Sequence, residues 1–324
     1  MRKRLCDILC GLLMLSTLSV VLPIFAVIFA GWLARRLELL GPAATSELNR
    51  YVVYLALPAL LFDVIAHAGG REIWQPGFIA AFGLAAVICF ALTAAVRLRQ
   101  GSGLADAAVD GLNGAYANTG YMGFPLALAA FGAGSQAPVL IATILTVCFV
   151  FALAIVLIEI GLQKEPNRLK LALRVGGTLA RNPLIFSPAL AAIIRLAGFG
   201  VPQPVEAFVK LLGESAAPCA LVGLGLFLAE KRTAADSRYG VTAALTAVKL
   251  LLQPLLTWAL AAYVFHLAAF ETHAAVLIAA LPTGTGSFML AEFYQREATT
   301  TSRVILISTL FSVLTLSFYL AAVR

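Results

Sequence analysis

Charge is what this sequence lacks. Only 12% of its 324 residues are Asp, Glu, Lys or Arg, against about 25% in a soluble domain. Hydrophobic residues make up 61%, and the mean hydropathy is +0.94. So few charges cannot cover so apolar a core, which excludes a soluble domain. Histidine is scarce too. His67, His266 and His273 all fall at the edges of apolar runs. No HExxH spacing and no Ser/His/Asp grouping occurs, so intramembrane hydrolysis and a metal centre are not expected. Cys6, Cys10, Cys89, Cys148 and Cys219 are scattered, without CxxC spacing, and read as small apolar residues. No GxxxxGK[ST] motif is present, which excludes a built-in ATPase of that type. These absences point away from an enzyme and imply no cofactor. The net charge of +7 does not point to nucleic acid either. The basic residues lie between apolar runs and are not interleaved with aromatics.

Long apolar runs are what the chain has. A spanning helix needs about 20 residues. Runs rich in Leu, Ala, Val and Ile stand at about 14–35, 48–67, 77–97, 107–131, 138–162, 182–198, 204–229, 240–266, 272–294 and 301–323. Their length argues for helices and not a barrel. The most polar connector, QKEPNRLKLALRVGGTLAR (163–181), divides them five and five. The halves echo each other. Pro23 and Pro58 lie 35 residues apart in the first two spans, as do Pro183 and Pro218 in the sixth and seventh. Pro125 in span four and Pro282 in span nine keep nearly the same offset. Three matches in one order favour an internal repeat, and an odd number of spans per copy inverts the second. The expected architecture is an all-α polytopic membrane protein of ten transmembrane helices. Residues 14–162 form one five-helix repeat and 182–324 the other, with helices four and nine broken at prolines and crossing.

Lys and Arg set the orientation. Fifteen of the 23, among them Arg35, Arg99, Lys170, Arg181 and Arg296, flank the loops after the odd-numbered spans. Seven lie on the opposite side. The richer side should be cytoplasmic, which makes 163–181 a cytoplasmic connector and puts both termini outside. The opening MRKRL disagrees locally, because it resembles the basic start of a signal peptide. Residues 1–13 read as an N-terminal extension, with Met14 as an alternative start.

LPTGTGSFMLAEFY (281–294) sets a proline, two glycines and three hydroxyls inside a span. AYANTGYMGFPLALAAFG (115–132) repeats the construction with Asn118, Thr119, Gly120, Gly123 and Pro125. An unpaired backbone group in hydrocarbon costs several kcal/mol, so irregular backbone is tolerated only around a cavity or against other protein. Two readings fit. One is a plain kink whose small residues pack against neighbours. The other is a pair of half-helices crossing near the midplane, with Asn118, Thr119, Gly123, Pro125, Pro282, Thr283, Gly284, Thr285 and Ser287 forming a substrate site. Half-helix N-termini carry about +0.5 of an elementary charge and favour anions.

LNRYVVYLALPALLF (48–62), ANTGYMGFPLALAAFG (117–132), VKLLLQPLL (248–256) and ALPTGTGSFMLAEFY (280–294) together resemble the auxin efflux carrier family. That family includes the plant PIN-FORMED auxin exporters and bacterial permeases linked to malonate or malate. The resemblance runs over nearly the whole chain and is most specific in spans four and nine. It implies ten helices in a scaffold and a transport domain, crossing at Pro125 and Pro282. Asn118 and Thr119 match the Asn-Thr pair whose Asn contacts the substrate carboxylate. The chain lacks the long hydrophilic central loop of the plant proteins, which weighs against auxin itself.

Asp63 and Lys249 are the conspicuous charges within spans. Each costs about 2.5–3.5 kcal/mol on insertion scales if central. Asp63 suits a proton or cation, and Lys249 suits a substrate anion. The bland readings are that Asp63 sits near a span end and that Lys249 snorkels. The residues and the resemblance together favour a secondary transporter of a small organic anion, and the resemblance implies one such as malonate, malate or an auxin-like acid. It would lie in a bacterial inner membrane, with a proton or sodium as candidate coupling ion and a homodimer as candidate assembly. The competing readings are a cation/proton antiporter or cation-coupled symporter of similar crossed-helix fold, and a non-transporting membrane sensor.

Overall fold

The computed structural model describes residues 22–67, 74–163, 168–230 and 239–323. The extension at 1–13, the alternative start at Met14, and Arg324 lie outside them. The described residues are helical throughout, and one isolated bridge is their only extended pairing.

Thirteen helical stretches follow one another among these residues. They are α1 (22–36), α2 (Ala44–Ala66), α3 (Pro76–Arg99), α4 (Leu104–Ala115), α5 (Phe124–Phe131) and α6 (Ala133–Leu162). There follow α7 (Arg168–Arg181), α8 (Pro183–Leu196), α9 (Gln203–Ala229), α10 (Tyr239–Val264), α11 (Ala269–Ala279), α12 (Gly286–Phe293) and α13 (Ala298–Val323). Six of them, α2, α3, α6, α9, α10 and α13, are long and apolar enough to cross a membrane. A seventh span is reached if the end of α7 and α8, bent by 70°, count as one. The expected spans 107–131 and 272–294 are each broken into two shorter helices, and 14–35 is described from residue 22.

Apolar side chains stand exposed around the bundle, including Leu92, Phe149, Phe186, Leu255, Phe311 and Phe318. In water such exposure invites aggregation, whereas against lipid it is the expected surface. Small residues set the closest helix contacts. A Cβ on Gly31 would strike the Val222 carbonyl, and one on Gly225 the Ile28 carbonyl. That lets α1 and α9 pack backbone to backbone. Residues 168–181 of the basic connector fold as α7, a helix with polar and apolar residues interspersed, which suits a membrane surface.

Prolines explain three local widenings. π-helical turns at Val52–Ala56, Thr119–Gly123 and Val248–Leu252 each run into a proline in the first turn of the next helix: Pro58, Pro125 and Pro254. A proline has no N–H for the α-helical ladder, and its ring crowds the carbonyl four residues back. Widening that turn relieves the clash, and such bulges gather at functional sites.

Candidate functional site

The two interrupted helical stretches, 104–131 and 269–293, meet. After Ala115 the chain of α4 turns extended at Tyr116, and Asn118 sits at φ −76, ψ 60 before the π turn begins. On the other span the break runs from the end of α11 to Thr285, the N-cap of α12. Asn118 N–H donates to the Pro282 carbonyl at 2.9 Å, and Gly284 N–H donates to the Tyr116 carbonyl at 3.0 Å. Ala117 and Thr283 thus face each other as an antiparallel bridge. Each break satisfies backbone groups that the other leaves unpaired, as an apolar interior demands.

Side chains complete the pairing. Thr283 Oγ1 donates to the Asn113 carbonyl (2.8 Å), and Thr283 N–H donates to Ser308 Oγ (3.1 Å). Ser287 Oγ donates to the Gly284 carbonyl (2.7 Å). Lys249 Nζ donates to the Ala279 carbonyl (2.7 Å), and Gln253 Nε2 donates to the Ala115 carbonyl (3.1 Å). Lys249 is fully buried.

Two glycines of the GTG sequence have a plain steric reason. The Tyr116 ring lies on them. A Cβ at Gly284 would sit 2.7 Å from Tyr116 Cε1, and one at Gly286 would sit 2.5 Å from Tyr116 Oη. Phe151 packs against the same ring, with centroids 5.6 Å apart and the planes tilted by 48°.

A cavity of about 430 Å³ opens beside this crossing. Small-molecule sites span about 300–1,000 Å³. Its walls combine the breaks (Tyr116, Asn118, Thr119, Gly120, Thr285, Gly286) with α2 (Leu57, Leu60) and the middle of α9 (Gly213, Glu214, Pro218). Among the described residues the lining carries one carboxylate, Glu214, and no Lys, Arg or His. Asn118 is 7% exposed, and its side chain makes no protein hydrogen bond among the described residues; Thr119 Oγ1 is buried without one. A cavity with unpaired amide and hydroxyl groups, next to the N-terminal turns of two half-helices, is equipped to hold a polar or anionic group.

The predicted residues therefore separate. Asn118, Thr119 and Thr285 come together on the cavity. Thr283 and Ser287 spend their hydroxyls on the backbone, and Gly123, Pro125, Pro282 and Gly284 do not line it. Lys249 faces a helix end and not the cavity. Asp63 lies at the far end of α2, where its carboxylate sits 3.0 Å from His67 Nδ1, and His67 Nε2 sits 3.0 Å from Glu206. Sequence reasoning missed Tyr116, Gln253 and Glu214. Tyr116 stood inside the span-four motif, with a Gly-x-Gly pair to receive a ring. Gln253 follows Lys249 by one helical turn. Glu214 gave no signal.

The fold and its crossing can now be set beside known proteins. A family model described as "Membrane transport protein" matches residues 16–320. The chain belongs to this family. It is the auxin efflux carrier family that the span-four and span-nine motifs resemble. One relative, named "Putative malonate transporter", from Rhizobium meliloti strain 1021, is 33% identical over 310 residues, covering 94% of this chain and 95% of that protein. "Uncharacterized transporter YfdV" of Escherichia coli K12 is 24% identical over 311 residues, 94% of this chain and 96% of its own. "Uncharacterized transporter MJ1031" of Methanocaldococcus jannaschii is 21% identical over 312 residues, 93% and 97% respectively. The family member described here is thus a membrane transport protein matched along almost its whole length.

Proposed function

We propose that this family member is a secondary transporter of a small carboxylate, working by alternating access around the crossing of its two broken spans. The observation that carries the reading is the cavity at that crossing, where the Asn118 amide has no protein partner among the described residues. A carboxylate accepts hydrogen bonds from an amide N–H, from hydroxyls and from free N–H groups of a helix start. The family relative named for malonate supports a dicarboxylate of that size as the first substrate to try. On this reading the chain has ten spans in two inverted repeats, 14–162 and 182–324. The two interrupted helices are their matching members, and both termini face the outside of a bacterial inner membrane.

Glu214 favours a cation-coupled form of the mechanism. A carboxylate on the wall of an anion site repels the substrate unless a cation, proton or sodium, shares the cavity. Uptake of labelled malonate, malate and indole-3-acetate into proteoliposomes, under imposed proton or sodium gradients, tests both statements. Uptake of malonate or malate that Asn118→Ala weakens is the expected result. If none of the three acids accumulates under any gradient, the proposal fails. If accumulation ignores both gradients, the coupling fails.

A further inference from the structure

One helix holds the ends of both breaks. Lys249 and Gln253 are four residues apart on α10, so they lie side by side on one face. Neither side chain is exposed to any degree: both are 0% accessible. Their targets are equivalent. Ala279 is the last residue of α11 and Ala115 the last residue of α4, and each helix stops there to enter a break. The last carbonyls of a helix have no intrahelical partner and carry the negative pole of its dipole, about −0.5 of a charge. Both poles lie at the crossing: Tyr116, the residue after Ala115, lines the cavity, and Ala279 itself does not. Among the described residues Lys249 pairs with no carboxylate, and its one polar partner is the Ala279 carbonyl. A buried ammonium is costly unless something stabilises it, and here that role falls to a helix end.

We propose that Lys249 and Gln253 form a two-armed clamp that fixes the C-terminal ends of both half-helices. The Lys249 charge also offsets the negative pole beside the anion cavity. Lys249 does not line that cavity, so it is a positioning residue and not a substrate contact. One arm, Lys249, leaves from the π turn at Val248–Leu252, and the other, Gln253, from the residue just before Pro254. The clamp's role in anion transport rests on the function proposed above, while the clamp itself is testable without any substrate.

The experiment is hydrogen–deuterium exchange on the ligand-free protein in nanodiscs, with Lys249→Met and Gln253→Met. Methionine keeps the stem and removes the donor. Loss of one arm should release its half-helix end and loosen the bonds at Asn118 and Gly284. Exchange in peptides covering 112–120 and 279–288 should rise about tenfold, while peptides from α3 keep the wild-type rate. Should Lys249→Met fail to fold, Gln253→Met carries the same test at α4. The charge is read separately, by comparing malonate with its monoamide, malonamate. Lys249→Met should weaken malonate by about tenfold and malonamate by less, whereas a purely structural loss lowers both alike. Unchanged exchange at the breaks overturns the clamp, and equal losses for the two acids overturn the electrostatic part. A wild type that binds neither acid but shows the expected exchange pattern counts against the transport reading and supports the clamp.

Discussion

Alanine at position 286 should damage the crossing through Tyr116. The added Cβ would meet Tyr116 Oη at 2.5 Å, Cζ at 2.8 Å and Cε1 at 3.0 Å, where ordinary contacts begin near 3.4 Å. The ring therefore has to retreat by roughly an ångström. It cannot do so freely, because Tyr116 is 6% exposed and Phe151 packs against its ring. Its own carbonyl also accepts the Gly284 N–H that closes the crossing. Overpacking of this kind costs about 1–3 kcal/mol. The ring also lines the cavity, so malonate affinity should fall with stability. A double-mutant cycle isolates the cause. Tyr116→Leu removes the clashing atoms, so Gly286→Ala should cost at least about 1 kcal/mol less in the Tyr116→Leu background than alone. The assay is thermal unfolding in detergent beside malonate binding to purified protein. If Gly286→Ala melts and binds like wild type, or if the two substitutions are additive, the packing argument is wrong.

Three further outcomes follow from the same coordinates of charge and contact. Asn118→Ala, and separately Thr285→Val, should weaken malonate binding by about ten- to a hundredfold, the worth of a charged hydrogen bond of about 1.5–3 kcal/mol. Asn118→Asp should be worse than either, and wild-type affinity in Asn118→Asp would remove the anion from this crossing. Burial opposes the charge of His67, but the Asp63 carbonyl and the carboxylates of Asp63 and Glu206 outweigh it, raising its pKa above 6.5. The tie between α2 and α9 should therefore stabilise the protein fully below pH 6.5 and be lost as pH rises through the folded pKa. Melting curves of wild type and His67→Ala should converge in that direction, and a gap that widens with pH would refute it. In a cysteine-free background, Lys170→Cys in intact cells should resist a membrane-impermeant maleimide while a cysteine appended after Arg324 reacts. The reverse pattern would invert the topology.

How far the sequence carried the structure depends on which physics each element obeys. Helices such as α3 and α13 were legible because hydrocarbon demands about 20 apolar residues, and that demand is written locally. The meeting of the two breaks was legible from Pro, Gly and hydroxyl residues in two corresponding spans. Their fine geometry was not. Prolines were expected to mark the breaks, and Pro282 does lie in one, accepting from Asn118 N–H. Pro125 instead sits within continuous helix, where the π turn at Thr119–Gly123 accommodates it, and the extended residues lie earlier, at Tyr116–Asn118. An extended stretch has no helical period, so nothing local tells which hydroxyl turns toward the cavity. The long-range pairing of Ala117 with Thr283 decides that. It sends Thr283 Oγ1 to Asn113, while Asn118 and Thr285 line the cavity. Lys249 shows the same limit from the side of charge. VKLLLQP marked it as a charge within a span but left snorkelling open; it is fully buried, and its partner is a carbonyl 30 residues away, exposed as an acceptor only because α11 ends there. A charge in a span thus signals that some unsatisfied pole lies nearby. In this fold an interrupted helix supplies that pole before any substrate does.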